Sequence, residues 1–460
     1  MRSVLLTRLP LIVFVAMYAF TGYLGAMLLL FGSERFAALY IYFSGVMMPA
    51  ITYEDLFQVI WLLHVPPVMM WLGYEIALRL KRVYSVTANL ELHNFKSLHR
   101  IVIALFVTSV AVATGSIIRT GSYERIAAWA NYAEFVEARY VLFQTLHFFE
   151  FVNIYTLLPM FGTLLILLMI HLQQRWTTLL TTSLFVIIPI IITNIYIFQK
   201  KPLIAAILIL LSSLFIYWFA GHQPRARITK KTTGTILFSL LIVYLIYIFL
   251  ILYPVLGAQT QVYQPPDQEE MTQNENIDGT SYRTFGTFND LFKSRTHSLT
   301  LYALMAPISR TSAQMIVYPV IFPDDHNYYP IDVGQDILGF GQMPDDNVVV
   351  WNTLYPNFPS GNMAAPFHVV LYSQGGLWVS MIGALVIGFF ISVCWQIVLQ
   401  RKVMSPLYSV AGSLILLFTI FISIDAVRNS VTVSYGLIWP AIVLKGLFFL
   451  NYVMKQRNPT

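Results

Sequence analysis

Residues Val369 to Val393 read VVLYSQGGLWVSMIGALVIGFFISV, a run of 25 residues without a single charge. Such a run exceeds the roughly twenty apolar residues that a helix needs to cross a hydrocarbon core of about 30 Å. Across all 460 residues, 57% are hydrophobic, 11% are charged and the mean hydropathy is +0.67. This composition is typical of a polytopic membrane protein and differs from that of soluble domains.

Further apolar windows of similar length predict about ten transmembrane helices in an all-α fold. The run from Val369 to Val393 is one of the ten, and nine other windows complete the set. The first window lacks the small-residue cleavage site of a signal peptide. The ten windows are Leu9 to Phe31, Leu56 to Leu80, Ile101 to Ile118, Phe151 to Leu172, Thr177 to Phe198, Pro202 to Phe219, Thr235 to Leu256, Val369 to Val393, Pro406 to Ile424 and Val433 to Val453.

The apolar pattern lapses for long only once, between about Gln259 and His368. We therefore expect three parts: helices 1 to 7 in residues 1–256, a large extracytoplasmic loop in residues 257–368, and helices 8 to 10 in residues 369–460. Within the loop, the mostly apolar stretch from Leu299 to Val320 predicts an amphipathic or re-entrant helix.

Basic residues in the short loops set the orientation, because cytoplasmic loops carry the excess of Lys and Arg. This rule places both termini in the cytoplasm and the large loop outside, which an even number of spans permits. It also accounts for the net charge of +6 without nucleic acid as a partner. The cytoplasmic cations are Arg2, Arg8, Arg79, Lys81, Arg82, Lys96, Arg100, Arg175, Arg225, Arg227, Lys230, Lys231, Arg401, Lys402, Lys455 and Arg457.

The few cations on the outer side are the more informative ones. Lys200 and Lys201 form one outer turn, Arg310 lies in the loop helix, and Arg428 follows Asp425 by three residues in the last outer turn. Each has a structural alternative, namely snorkelling to lipid headgroups for the lysines and Arg310, and a local ion pair for Arg428. The functional reading is a site for an anion.

Aromatic and acidic residues crowd the second half of the loop. Tyr328, Tyr329 and Trp351 offer flat apolar faces on which sugar rings can stack, although interfacial aromatics are common in membrane proteins. The loop acids Asp324, Asp325, Asp332, Asp336, Asp345 and Asp346 lack the spacing of a recognised metal motif, so no metal is predicted. Phosphate-loop, dinucleotide, zinc-protease and serine-hydrolase signatures are missing from the sequence, and no cofactor is predicted.

The order of these features resembles the bacterial O-antigen and exopolysaccharide repeat-unit polymerases of the Wzy type, which are GT-C-like membrane glycosyltransferases. The resemblance rests on four landmarks in order: Gln199-Lys200-Lys201-Pro202, with lysine where the family usually has arginine; Arg310 in the loop; the segment from Ala364 to Gly383; and Arg428-Asn429-Ser430. Glycines of the third landmark and the following helix, Gly375, Gly376, Gly383 and Gly388, would let a neighbouring helix approach closely.

The resemblance implies a polymerase of the inner membrane that moves a growing glycan from polyprenyl diphosphate to the non-reducing end of a lipid-linked repeat unit. Its substrates are polyprenyl-diphosphate-linked oligosaccharides, and a chain-length regulator is an expected partner protein. Lys200, Lys201, Arg310 and Arg428 are the expected diphosphate ligands, Arg310 and Arg428 with a catalytic role. His368 is the first choice for the general base, ahead of Asp332 and Asp336.

Three alternatives remain open from the sequence. An O-antigen ligase would use a decisive loop histidine, a role that His368 can fill. A GT-C glycosyltransferase that uses polyprenyl phosphate would need an acid in its first outer loop, where Glu54 and Asp55 lie. A flippase or other transporter would show charges or broken helices within the spans, as at Glu75 and Pro66-Pro67, and an internal repeat, which the sequence lacks.

Overall fold

The computed structural model describes residues 2–32, 49, 51–80, 95–122, 142, 145–196, 200–220, 311–330, 346–354, 364–399, 405–426 and 437–457. Within these ranges every regular element is helical and no strand occurs. The all-α prediction is therefore confirmed for the part of the chain that is described.

The helices follow the apolar windows of the sequence. In chain order they are α1 (Arg2–Thr7), α2 (Leu9–Tyr18), a π-helical turn π1 (Ala19–Tyr23), α3 (Leu24–Phe31), α4 (Tyr53–Arg79), α5 (Phe95–Thr120), α6 (Phe148–Val152), a second π-helical turn π2 (Asn153–Leu157), α7 (Leu158–His171), α8 (Trp176–Tyr196), α9 (Lys200–Ala220), α10 (Ser312–Ile321), α11 (Asp346–Leu354), α12 (Phe367–Tyr372), α13 (Gly376–Leu399), α14 (Pro406–Ile422) and α15 (Ile438–Arg457).

Helices overlap nine of the predicted windows, and the tenth, Thr235 to Leu256, lies outside the described residues. Five helical segments of the described chain are long and apolar enough to cross a membrane: Leu9–Phe31, Tyr53–Arg79, Phe95–Thr120, Phe148–His171 and Gly376–Leu399. Of the predicted loop helix, the structure describes the last part, as α10.

The chain divides into two compact units. Unit 1 comprises Met1–Ser85, Pro265–Gln396 and Phe418–Val433, and unit 2 comprises Val86–Gln264, Ile397–Leu417 and Ser434–Thr460. The described residues between Thr311 and Gln396 thus belong to the same unit as the first two predicted spans. The predicted division at residues 256 and 368 follows the membrane topology and remains a prediction.

In unit 1, α10 packs on the π-helical turn of the first span. A π turn shifts the regular pattern of backbone hydrogen bonds and leaves carbonyl groups open to other donors. The Thr21 carbonyl accepts from the backbone N–H and the hydroxyl of Thr311, both at 3.2 Å, and the Gly22 carbonyl accepts from the Ser312 hydroxyl at 2.9 Å. These bonds attach the start of α10 to a helix 290 positions earlier in the chain.

Two glycines allow α4 and α13 to touch backbone to backbone. A Cβ atom on Gly388 would lie 2.0 Å from the Met70 carbonyl oxygen, and one on Gly73 would lie 2.0 Å from the Leu385 carbonyl oxygen. Neither position can hold a larger residue unless the helices separate. The predicted close approach at Gly388 is confirmed, and Gly383 likewise contacts the Leu371 side chain.

The N-terminal end of the first span is fixed by three contacts within unit 1. The Arg8 guanidinium binds the Glu75 carboxylate with two bonds of 2.6 and 3.0 Å, and this carboxylate raises the pKa of Arg8. Tyr74 donates to the Thr7 carbonyl at 2.7 Å, and the Trp395 indole donates to the Leu6 carbonyl at 2.8 Å. The charge of Glu75, which favoured a transporter, therefore has a structural partner.

In unit 2 the segment from α6 to α7 is the central element, and 89% of its most apolar window is buried. At its π turn, Asn153 donates to the Ser109 carbonyl of α5 at 2.9 Å. At its start, the Arg119 guanidinium binds the Glu150 carboxylate, with one bond of 3.2 Å from Nε to Oε1. Arg119 thus has an ion-pair partner within unit 2.

Candidate functional site

In unit 1, a buried cluster of polar side chains joins α10 and α11, which lie in the predicted loop, to the end of α12, where the eighth predicted span begins. The Tyr318 hydroxyl of α10 donates to Asp346 Oδ2 at 3.0 Å, and the Ser373 hydroxyl, at the end of α12, reaches the same oxygen at 3.1 Å. Asp346 is the first residue of α11 and is 3% exposed. A carboxylate at this depth costs free energy to desolvate, and the two hydroxyl donors offset part of that cost.

Two acidic side chains of this cluster, Asp346 and Asp425, act on Tyr318. Burial is the main cause that raises the pKa of Tyr318 well above its usual value, and the charge of Asp346 adds to the rise. Asp425, itself 2% exposed, lies near enough for its charge to act in the same direction. The phenol of Tyr318 consequently stays protonated and remains a hydrogen-bond donor.

A turn that follows α10, Pro323 to Pro330, carries the first two predicted sugar ligands. The backbone N–H of Tyr329 donates to the Ser373 carbonyl at 2.8 Å, and its ring stacks on the His326 ring with centroids 5.2 Å apart. Tyr328 is 37% exposed and meets the Tyr372 ring edge to face at 6.0 Å. Tyr328 is therefore exposed, Tyr329 is half-buried, and both contact the end of α12 or the residue after it.

The start of α13 is shaped to receive Tyr328. Gly376 has a φ of +67°, which a side chain rarely tolerates, and a Cβ atom there would lie 2.9 Å from the Tyr328 hydroxyl. Beneath it, the Tyr372 hydroxyl contacts Gln58 Oε1 of α4 and lies 3.2 Å from the Phe322 carbonyl. The turn thus rests on the second span through the Tyr372 side chain.

Trp351, the third predicted sugar ligand, lies on α11, five positions after Asp346, and is half-buried. The structure accordingly places all three aromatic candidates in one unit, on elements that the Asp346 cluster connects. Their role in sugar binding stays a prediction.

His368, the predicted general base, is fully buried in α12. Its ring lies against Tyr18 and Phe367, with centroids 5.3 and 5.4 Å away, and neither ring nitrogen has a hydrogen-bond partner among the described residues. Burial lowers its pKa to about 3, so the ring is neutral near pH 7. For catalysis the ring would have to gain contact with the acceptor hydroxyl, and the role stays a prediction.

The structure describes less of the predicted cations than of the predicted aromatic residues. Lys200 and Lys201 begin α9 in unit 2, with side chains outside the described part. Arg310, Arg428, Asp332 and Asp336 lie outside the described residues altogether. Arg310 directly precedes Thr311, which binds π1, and Arg428 follows Asp425, whose charge acts on Tyr318. Both arginines are thus neighbours in sequence of residues in unit 1.

The sequence alone did not single out Asp346 among the six loop acids. One available signal was its place at the start of a short apolar and aromatic run, where an acidic residue favours a helix N-terminus. Its partners Tyr318 and Ser373 are 28 and 27 positions away and carry no local pattern.

The site places one exposed aromatic ring, Tyr328, and two half-buried ones, Tyr329 and Trp351, on elements that a buried carboxyl group and its hydroxyl donors connect. Exposed aromatic faces of this kind can stack on the apolar faces of sugar rings. Within the described ranges, no three His, Cys, Asp or Glu side chains are grouped so as to hold a metal ion.

Comparison of this chain with protein-family models, with curated proteins and with solved structures gives no match.

Proposed function

We propose that this protein is a glycosyltransferase of the bacterial cytoplasmic membrane that polymerises lipid-linked repeat units at the outer face. The observation that carries the proposal is the packing of a polar segment onto two apolar helices, with Tyr328 exposed on a turn that Ser373 connects to the Asp346 cluster. A transferase whose substrates have a lipid tail and a sugar head needs an apolar part and a sugar-binding part together.

The proposed topology has ten spans, cytoplasmic termini and one large outer loop. The five long apolar helices and the four further helices at predicted windows support it. Arg8 and Arg79, at the cytoplasmic ends of the first two spans, fit the positive-inside rule.

The distribution of charge supports the proposal that different parts of the protein bind the sugar and the diphosphate. From Thr311 to Gln400 the sequence has six Asp and neither Lys nor Arg. Carboxylates accept hydrogen bonds from sugar hydroxyls but repel phosphate, so the diphosphate must meet cations from elsewhere. We assign that role to Arg310, Arg428, Lys200 and Lys201.

In the proposed reaction an acceptor hydroxyl attacks the anomeric carbon of the sugar that carries the growing chain. A glycosidic bond forms, the bond from that carbon to the diphosphate breaks, and polyprenyl diphosphate leaves while a base takes the hydroxyl proton. Cations placed where the negative charge develops stabilise this transition state, and removal of one such contact typically costs about 3 kcal/mol.

The alternatives have less support from the structure. Asp55, the acid that favoured a glycosyltransferase using polyprenyl phosphate, forms a capping box with Thr52, with bonds of 2.7 to 3.2 Å. Glu75, which favoured a transporter, pairs with Arg8. His368, on which a ligase would depend and which is also the expected base of the polymerase, is buried among aromatic rings, so its burial does not separate these two activities.

The test is the surface glycan of a strain that lacks this gene. A polymerase deletion leaves single repeat units that still reach their final acceptor. Full-length polymer that stays on its lipid carrier would indicate a ligase, and intermediates trapped on the cytoplasmic side would indicate a flippase.

A further inference from the structure

Three segments that are distant in sequence meet at one oxygen atom. Asp346 Oδ2 receives the Tyr318 hydroxyl of α10 and the Ser373 hydroxyl at the end of α12, while Asp346 itself begins α11. Thr311 and Ser312 attach α10 to the first span. The first span therefore helps to fix the position of the Asp346 carboxyl group, which is bonded to Tyr318 of α10.

Ser373 connects this oxygen to the exposed turn. Its single hydroxyl proton is shared between the Val370 carbonyl, 2.7 Å away, and Asp346 Oδ2, 3.1 Å away, and its own carbonyl accepts the backbone N–H of Tyr329 at 2.8 Å. A continuous path of hydrogen bonds therefore runs from Asp346 through Ser373 to the backbone of Tyr329.

We propose that Asp346 is a positioning residue that fixes, through Ser373, the turn that carries Tyr328 and Tyr329 against the acceptor sugar. The inference rests on the proposed function and adds a residue to the same site. Asp346 would act on the binding of the acceptor and would not itself exchange a proton with the substrate.

The chemistry of the cluster allows two roles for Asp346 to be distinguished. Both observed bonds require only an acceptor, and the carbonyl oxygen of an asparagine can accept them. Asp346→Asn would thus largely preserve a positioning role, whereas it would abolish a role as general base. Asp346→Ala removes the acceptor and disrupts either role.

The experiment uses the purified full chain in proteoliposomes with lipid-linked repeat units extracted from the deletion strain. We expect Ser373→Ala and Asp346→Ala to raise the KM for the acceptor about tenfold, which is the factor that corresponds to one lost hydrogen bond to a charged group. The kcat of both variants should change less than about threefold. Asp346→Asn should stay within about threefold of wild type in both constants. Asn352→Ala, at an exposed position of α11, is the matched control.

Melting curves of each variant separate a positioning effect from failure to fold. If Asp346→Ala does not fold, Ser373→Ala and Asp346→Asn test the positioning role instead. Ser373→Ala retains the Asp346 carboxyl group, and Asp346→Asn retains a hydrogen-bond acceptor at the buried position. A kcat that falls more than a hundredfold in Asp346→Asn at unchanged KM would overturn the inference in favour of proton transfer. An unchanged KM in Ser373→Ala would also overturn it, while an inactive wild-type protein would overturn the proposed function itself.

Discussion

The Tyr318 hydroxyl donates a hydrogen bond of 3.0 Å to the Asp346 carboxylate, and both side chains are almost wholly buried although they lie 28 positions apart. This bond joins α10, which packs on the first two spans, to α11. It connects α11, in the polar stretch of the chain, to the first two spans within unit 1.

Loss of this bond should destabilise unit 1. In Tyr318→Phe the buried carboxylate keeps its charge but loses one donor, which we expect to lower the free energy of unfolding by about 1.5 to 3 kcal/mol. The melting temperature of the protein in detergent measures the effect. Tyr53→Phe, at a position 93% exposed, is the matched control, and equal melting temperatures for the two variants would contradict the expectation.

Close packing of α4 on α13 predicts a strong response to one methyl group. Gly388→Ala should reduce the yield of folded protein severely, because the new Cβ would lie 2.0 Å from the Met70 carbonyl oxygen. Gly446→Ala meets no atom within 4 Å and should be tolerated. Size-exclusion profiles after membrane extraction measure both, and a normal profile for Gly388→Ala would show that the helices do not touch there.

Glycan transfer should depend on the contact between π1 and α10 more strongly than insertion of the protein into the membrane does. In Gly22→Leu the side chain would collide with Thr311 and Met315, since even a Cβ would lie 2.5 Å from Thr311 Oγ1 and 2.3 Å from Met315 Cε. We expect polymerisation to fall at least about tenfold, as for misplacement of a substrate-positioning element, while the protein still inserts. Gly115→Leu, at a helix position with open space, is the control, and full activity of Gly22→Leu would contradict the docking.

Glu75 should be dispensable for chemistry. Because its carboxylate pairs with Arg8, Glu75→Gln is expected to affect stability modestly and to leave the rate of polymerisation within about twofold, as for other partly exposed ion pairs. Rates in membranes with matched protein levels test this. Complete loss of activity at a normal protein level would contradict the structural role of Glu75 and favour a functional charge within the span, as a transporter requires.

Burial of His368 predicts a dependence of stability on pH. The ring has a pKa of about 3 when folded and an ordinary value near 6.5 when unfolded, so between these pH values only the unfolded chain binds the proton. Its contribution to stability is complete above pH 6.5 and falls as pH decreases, by about 1.4 kcal/mol at pH 5.5.

Melting temperatures of wild type and His368→Leu between pH 7.5 and 5.5 provide the measurement. The variant should lose less stability than wild type as the pH falls. Parallel curves would show that the ring is accessible to protons in the folded protein.

The sequence predicted the helices well, because each apolar window is a local property of consecutive residues. It also predicted close helix packing at Gly388, since small residues are what membrane helices use for contact. The π turns could not be predicted, because Ala19 to Tyr23 has the same apolar character as the α-helices on either side. Their consequence, the docking of Thr311 onto Thr21, depends on a contact across 290 positions.

The candidate site was predicted only in part. Tyr328, Tyr329 and Trp351 were expected from residue type, and the structure places them on connected elements of one unit. The importance of Asp346 follows from two hydroxyl groups that tertiary folding brings to one oxygen, and no spacing rule indicates such a meeting. His368 was expected to act as the general base from its residue type, whereas its burial among aromatic rings depends on the packing of α12 against the first span.

The most direct test of the account is reconstitution of the purified protein in proteoliposomes with lipid-linked repeat units extracted from the deletion strain. We predict a ladder of lipid-linked glycans that grows by one repeat unit per step without nucleotide sugar, and its loss in Arg428→Ala. Repeat units that remain single in the presence of folded wild-type protein would contradict the proposal that this chain is a polymerase.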